Sequence, residues 1–226
     1  MCGIAGYYCK DNIEQNVLDK LCNSLSHRGP DGNGTWKNND IGLAHTRLSI
    51  LDLSEKGKQP MTSSSGRYVI IFNGEIYNHR QLRKNIKIEW KGSSDTETLL
   101  ESIEKYGIEK TLNNLEGMYA FALYDKYEKI LTIARDPIGQ KPLYYGWINN
   151  SFIFASELKA FKLVDTNKLE ISRESLSIFI KTGYVPAPNS IYENIYKLKP
   201  GFYASIKPSE TKNIQYEQYY DLKSIV

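Results

Sequence analysis

The chain has 226 residues, room for one large domain or two small ones, and its 41% hydrophobic and 24% charged content is that of a folded globular domain. Twenty-nine basic residues against 26 acidic ones leave a formal charge of +3, and the absence of any basic run argues against a nucleic-acid partner. No apolar run approaches a membrane span, and the N-terminus has no basic region followed by an apolar stretch, so neither a membrane nor a secretory route is expected and the cytoplasm is the expected location.

Residues 2–8 are small and apolar on both faces and predict a short strand. A helix is predicted over 14–26, where Val17, Leu18, Leu21 and Leu25 share one face. The run 27–34, His-Arg-Gly-Pro-Asp-Gly-Asn-Gly, has neither phosphate-loop nor dinucleotide spacing and reads as a helix stop and a turn. Residues 41–51 read as a strand with Arg47 inside it, 56–66 as a polar loop, and 68–72 as a strong strand that ends at Asn73-Gly74. A short helix begins at Asn78 and takes in Leu82. Gly92-Ser93-Ser94-Asp95 leads into a helix over 96–106, capped by Asp95 or Ser94 and ended by Gly107, with faint helical spacing on to Leu115. Strands follow over 118–124, 130–135, 142–147 and 152–155, with Asp136-Pro137-Ile138-Gly139 as a type I turn. Beyond a helix over 172–182 and a strand near 202–206, the last fifteen or so residues read as a polar, Tyr-rich tail or linker. Seventeen tyrosines and many Ile and Phe residues favour β structure, and the block of strands with few helices between them predicts α+β layers rather than βαβ units.

Three cysteines, Cys2, Cys9 and Cys22, without CxxC spacing, suggest neither a disulfide framework nor a zinc site, and His27, His45 and His79 are too scattered to form a ligand set. Cys2 directly follows Met1. Removing Met1 would leave a thiol and a free α-amine on one residue. An α-amine titrates near 7.7–8.0, against about 8.5 for a thiol and 10.4 for lysine, so it is neutral often enough near physiological pH to take the thiol proton. With Met1 retained, that base is lost. A thiol attacking a carboxamide needs donors aimed at the developing oxyanion, and Asn73-Gly74 could supply one side-chain and one backbone N–H; the same dipeptide is also the strongest short hairpin signal. An amino-acid substrate carries a carboxylate, for which Arg47 is the candidate, and an ammonium, for which Asp95 is; an exposed edge arginine and a plain helix cap are the alternatives. Arg135-Asp136 reads equally as an ion pair beside the site or as turn chemistry.

Taken together, these residues stand in seven ordered blocks: 2–4, 27–32, 47–50, 72–78, 92–97, 117–122 and 135–145. In them the chain resembles the class II glutamine amidotransferases, and most of all the amidotransferase half of glutamine-hydrolysing asparagine synthetases, through Lys197-Leu198-Lys199-Pro200-Gly201. The resemblance implies an N-terminal-nucleophile fold, a four-layer αββα sandwich of two antiparallel sheets. It implies that Cys2 is the nucleophile and that Asn73 and Gly74 form the oxyanion hole. It further implies that Arg47 binds the glutamine carboxylate, Asp95 its ammonium, that Glu75 contacts the amino-acid end, and that Ile50 and Leu51 offer backbone contacts. The implied reaction is hydrolysis of L-glutamine to glutamate and ammonia through a thioester on Cys2, with no metal or cofactor in this domain.

Family members of this kind continue into a synthetase domain with a Ser-Gly-Gly-x-Asp-Ser loop, and no such loop occurs here. The expected division is therefore an amidotransferase domain over 1–210 and the start of a linker over 211–226. ATP and Mg are expected only on the synthetase domain, which would receive the ammonia and use it on aspartate or another carboxylate such as a sugar acid. A homodimer is a further implied possibility. A surface for docking the synthetase domain should be exposed, and a non-catalytic glutamine-binding module with Met1 retained is the alternative to the enzyme.

Overall fold

The computed structural model describes residues 1–9, 13–148, 150–164, 169–207 and 213–222. In chain order the early elements are β1 (Gly3–Tyr8), α1 (Gln15–Ser24), β2 (Gly32–Lys37), β3 (Ile41–Arg47), β4 (Met61–Thr62), β5 (Tyr68–Ile76), α2 (His79–Lys84), α3 (Asp95–Tyr106) and α4 (Ile108–Leu112). They are followed by β6 (Gly117–Asp125), β7 (Ile130–Arg135), β8 (Tyr144–Ile148), β9 (Ser151–Ala155), α5 (Arg173–Thr182), β10 (Ile195–Lys197), β11 (Phe202–Ile206) and β12 (Ile214–Gln218). Two antiparallel sheets result, in the orders β10-β8-β9-β1-β3-β2 and β12-β11-β7-β6-β5-β4.

The interior strands are apolar on both faces because both faces are covered. Side chains alternate along a strand. In β1, Ile4 and Tyr8 point into the space between the sheets, while Ala5 and Tyr7 meet the outer helix layer. In β5, Val69 and Ile71 point inward, and Ile70 and Phe72 outward. Leu18, Leu21 and Leu25 of the α1 region cover the first sheet, and Leu99, Leu100 and Ile103 of α3 cover the second. This is the expected αββα sandwich. Ser94 rather than Asp95 caps α3, its side chain accepting from the Glu97 N–H at 3.2 Å, a bond of about 1 kcal/mol.

Several expectations are corrected. The strand expected to stop at Asn73-Gly74 runs on to Ile76, with Asn73 opposite Ala120 and Gly74 opposite Tyr119. The dipeptide is no hairpin: a Cβ on Gly74 would collide with the Met118 carbonyl and the Tyr119 backbone, so glycine is required by close strand approach. The strand expected over 41–51 ends at Arg47, where the Ser49 N–H turns aside to donate to the Asp31 carboxylate at 2.8 Å. The 27–34 run contains the start of β2, an edge strand with alternating exposure. Residues 108–112 form a separate helix, because Gly107 breaks the backbone at φ +80. Ile214–Gln218, within the stretch read as a tail or linker, pairs along β11.

Candidate active site

Cys2 lies immediately before β1, a strand held between β3 and β9. Arg47 ends β3, Asn73 and Gly74 lie near the end of β5, and Asp95 opens α3. These four element ends meet at one edge of the sandwich. They enclose a cavity of about 120 Å³ that Cys2, Arg47, Ile50, Leu51, Asn73, Gly74, Glu75 and Asp95 all line. Every site residue expected from the sequence therefore reaches the same cavity.

At one end is the thiol. Cys2 Sγ lies 3.4 Å from the Leu48 N–H, which donates to it, and 3.6 Å from the Leu48 carbonyl. Burial pushes the thiol up from its ordinary value, and the Leu48 hydrogen bond opposes this. Arg28 fixes the Cys2 backbone: its Nε donates to the Cys2 carbonyl at 3.0 Å and its Nη1 to Glu157 at 3.0 Å. Asn73 is 1% exposed, and its Nδ2 is buried without a partner among the described residues. A buried amide donor left unpaired costs about 1–3 kcal/mol, and this one is free to meet an acceptor brought into the cavity.

At the other end are two charges of opposite sign. Arg47 Nη1 donates to the Ser54 carbonyl at 2.9 Å, and Nη2 to the Asp52 carbonyl. This folds the 48–57 loop over the guanidinium. Asp52 is itself an anchor: its carboxylate accepts from Ser54 Oγ at 2.6 Å and the Ser93 N–H at 2.8 Å, and these bonds hold its pKa down at about 2. Across the cavity, the Asp95 carboxylate accepts from the Ile76 N–H at 2.9 Å. Burial pushes Asp95 up to about 6; the Ile76 bond opposes this and the nearby Glu75 charge adds to it. A ligand ammonium would restore what burial takes from that carboxylate. Gln59 ties the two ends together, accepting from the Phe72 N–H at 2.6 Å and donating to Thr96 Oγ1 at 3.1 Å.

Sequence reasoning missed Arg28, Gln59 and Lys141. Arg28 sits in a run whose spacing reads as a turn, and Lys141 follows a turn recognised for its Pro and Gly; both lie in resembling blocks, but neither has a role assigned there. Arg135-Asp136 proves to be turn chemistry. Arg135 donates to the carbonyls of Lys141, Leu198 and Gly139, each at 2.7 Å, and Asp136 accepts from the Ile138, Gln140 and Lys141 N–H groups. Among the described residues, no cluster of His, Cys, Asp and Glu is placed to hold a metal ion, and no helix is long and apolar enough to cross a membrane.

The sandwich, opening at the start of its central strand beside a cysteine, defines the class of N-terminal-nucleophile amidotransferase folds. The solved glutamine phosphoribosylpyrophosphate amidotransferase from B. subtilis, complexed with ADP and GMP, shares this fold at a TM-score of 0.71 and 21% identity, over 96% of this chain and 49% of that one. The chain belongs to the glutamine amidotransferase domain family, whose model matches residues 1–220. It is 37% identical to asparagine synthetase [glutamine-hydrolyzing] 1 of Bacillus subtilis over 216 residues, 92% of this chain and 34% of that protein. It is 41% identical to asparagine synthetase [glutamine-hydrolyzing] 3 of Arabidopsis thaliana over 165 residues, 71% of this chain and 28% of that protein. The chain thus spans about a third of the length of these relatives.

Proposed function

We propose that this domain hydrolyses L-glutamine and delivers the ammonia to a synthetase domain or subunit. One observation carries the reading: the unpartnered Asn73 Nδ2 is buried in the wall of the cavity that also holds the Cys2 thiol. With Met1 removed, the Cys2 α-amine takes the thiol proton and Sγ attacks the glutamine Cδ. Charge gathers on the side-chain oxygen, where Asn73 and the Gly74 N–H meet it. The C–N bond then breaks, the α-ammonium returns the proton to the leaving nitrogen, and ammonia departs. Water hydrolyses the thioester to glutamate and regenerates the thiol. Arg47 holds the substrate carboxylate, Asp95 the ammonium, Glu75 adds negative charge at that end, and backbone groups of Ile50 and Leu51 complete the clamp.

No metal or cofactor has a role in these steps; ATP and Mg belong to the synthetase partner, whose acceptor is aspartate or another carboxylate. The two curated relatives are named as glutamine-hydrolysing asparagine synthetases, which favours aspartate. A docking face is available on α5, where Phe179 and Ile180 are 48% and 75% exposed. The working place of such a domain is the cytoplasm, with a homodimer as a further assembly. The test is ammonia release from L-glutamine by the processed chain, with intact mass recorded on the same sample. Cys2→Ala should reduce hydrolysis to background while calorimetry still shows glutamine binding. Turnover by that variant would remove Cys2 as nucleophile, and binding without any turnover by the processed wild-type chain would identify a glutamine-binding module.

A further inference from the structure

Lys141 lines the cavity beside Cys2 and has no part in the steps above. It is 4% exposed, and the turn that precedes it holds its backbone, the Asp136 carboxylate accepting the Lys141 N–H at 2.9 Å. Its ammonium donates to Met1 Sδ at 3.0 Å, and among the described residues it forms no ion pair. A thioether is a weak acceptor, and a buried ammonium with no better partner is a costly arrangement. Removing Met1 takes even that partner away. In its place the processed chain presents the free α-amine of Cys2.

We infer that Lys141 is a positioning residue for the Cys2 proton transfer: its positive charge keeps the neighbouring α-amine unprotonated and favours the thiolate. The inference rests on the amine-as-base reading above. An ordinary α-amine, near 7.7–8.0, is mostly protonated at pH 7 and so mostly useless as a base. A like charge beside it disfavours the protonated form, and burial acts in the same direction. Other charges stand near the pair. Arg28, on the turn after α1, and Arg47, at the end of β3, act with Lys141, whereas Glu75 on β5 and Asp95 on α3 act against it, and Glu157, after β9, offsets Arg28 by pairing with it at 3.0 Å. Asp136 stands behind Lys141 and supports its charge. Burial pushes the Lys141 ammonium down, with Arg28 adding and Asp136 and Glu75 opposing. The thiol and amine titrate as a coupled pair, so the observable is the pH at which the pair first releases a proton.

The experiment uses the processed full chain as wild type, Lys141→Met and Lys141→Arg, with loss of Met1 verified by mass. Two profiles are recorded between about pH 5.5 and 9.5: kcat/KM for glutamine, and the rate of iodoacetamide alkylation at Cys2, resolved from Cys9 and Cys22 by peptide mapping. Lys141→Met should move the acid limb of both profiles to higher pH by about one unit. That is a roughly tenfold loss below the limb which disappears well above it. Lys141→Arg, always charged and unable to act as a base, should keep the wild-type limb. The inference is overturned by a Lys141→Met limb that superimposes on wild type, by an equal loss at every pH, or by Lys141→Arg behaving as Lys141→Met. Alkylation judges Lys141 even where glutamine is not turned over, so failure of the hydrolysis reading is seen separately.

Discussion

At the Cys2 end of the cavity the Asn73 amide nitrogen is buried with no partner among the described residues, whereas at the far end Arg47 and Asp95 are already hydrogen-bonded by the protein's own backbone. On the proposed hydrolysis the difference follows from what each end would meet. The clamp would receive charges that glutamine carries from the start, and it keeps its shape without them by bonding to the 48–57 loop and to β5. The other end would receive a charge that exists only during reaction, and a donor satisfied beforehand would have to be released at that moment. Removing a group from the first end should therefore act on kcat, and from the second on KM.

The largest effect that would test this division is Asn73→Ala, expected to lower kcat by about 10²–10³-fold with KM nearly unchanged. Steady-state kinetics showing a raised KM and an intact kcat would move Asn73 into the clamp and erase the contrast. Next in size, Arg47→Ala should raise KM for glutamine by roughly ten- to a hundredfold, the worth of about 1.5–3 kcal/mol of charge-assisted bonding, while kcat changes little. Because Arg47 also holds the Ser54 and Asp52 carbonyls, its thermal midpoint should fall as well; an unchanged KM would take Arg47 out of the clamp. The smallest effect is one of pH. Burial raises the Asp95 pKa to about 6, so the carboxylate proposed to bind the ammonium is present above that pH and lost as pH falls through it. KM should rise several-fold between about pH 7 and 5 in the wild type. In Asp95→Asn it should be high and flat over the same range, and a wild-type-like pH dependence in that variant would assign the titration to another group.

The interior strands were legible in the sequence because both their faces are buried, which leaves continuous runs such as Tyr68–Phe72 and the apolar stretch of β6. The edges were not. β2 reads Gly-Asn-Gly-Thr-Trp-Lys and alternates in exposure, β4 has only two residues, and β12 lies in a polar, Tyr-rich segment whose partner is set by tertiary pairing. Asn73-Gly74 misled for the same reason: its local signal is a turn, but β6, arriving from far along the chain, pairs straight across it. The site divided in a similar way. Cys2, Arg47 and Asp95 were visible as chemistry and spacing, and the resemblance of seven blocks gathered them. Arg28 and Lys141 stood inside two of those blocks, but their value lies in what they touch, the Cys2 carbonyl and the Met1 sulfur, and nothing in the local sequence announces either contact.

The place of β1 in its sheet also sets an order in time. A ribosome releases the N-terminus first, so Cys2 emerges before every other group of the site. Its strand, however, lies between β3 and β9, and is bordered on both sides only once Ala155 has been added. A nascent chain therefore carries its thiol through the synthesis of everything from β1 to β9 with no assembled wall around it. Met1 remains 52% exposed in the finished fold, so a peptidase could still reach it after folding is complete. On the proposed mechanism, synthesis, enclosure and unmasking would be three separable steps, and reactivity would begin with the last of them.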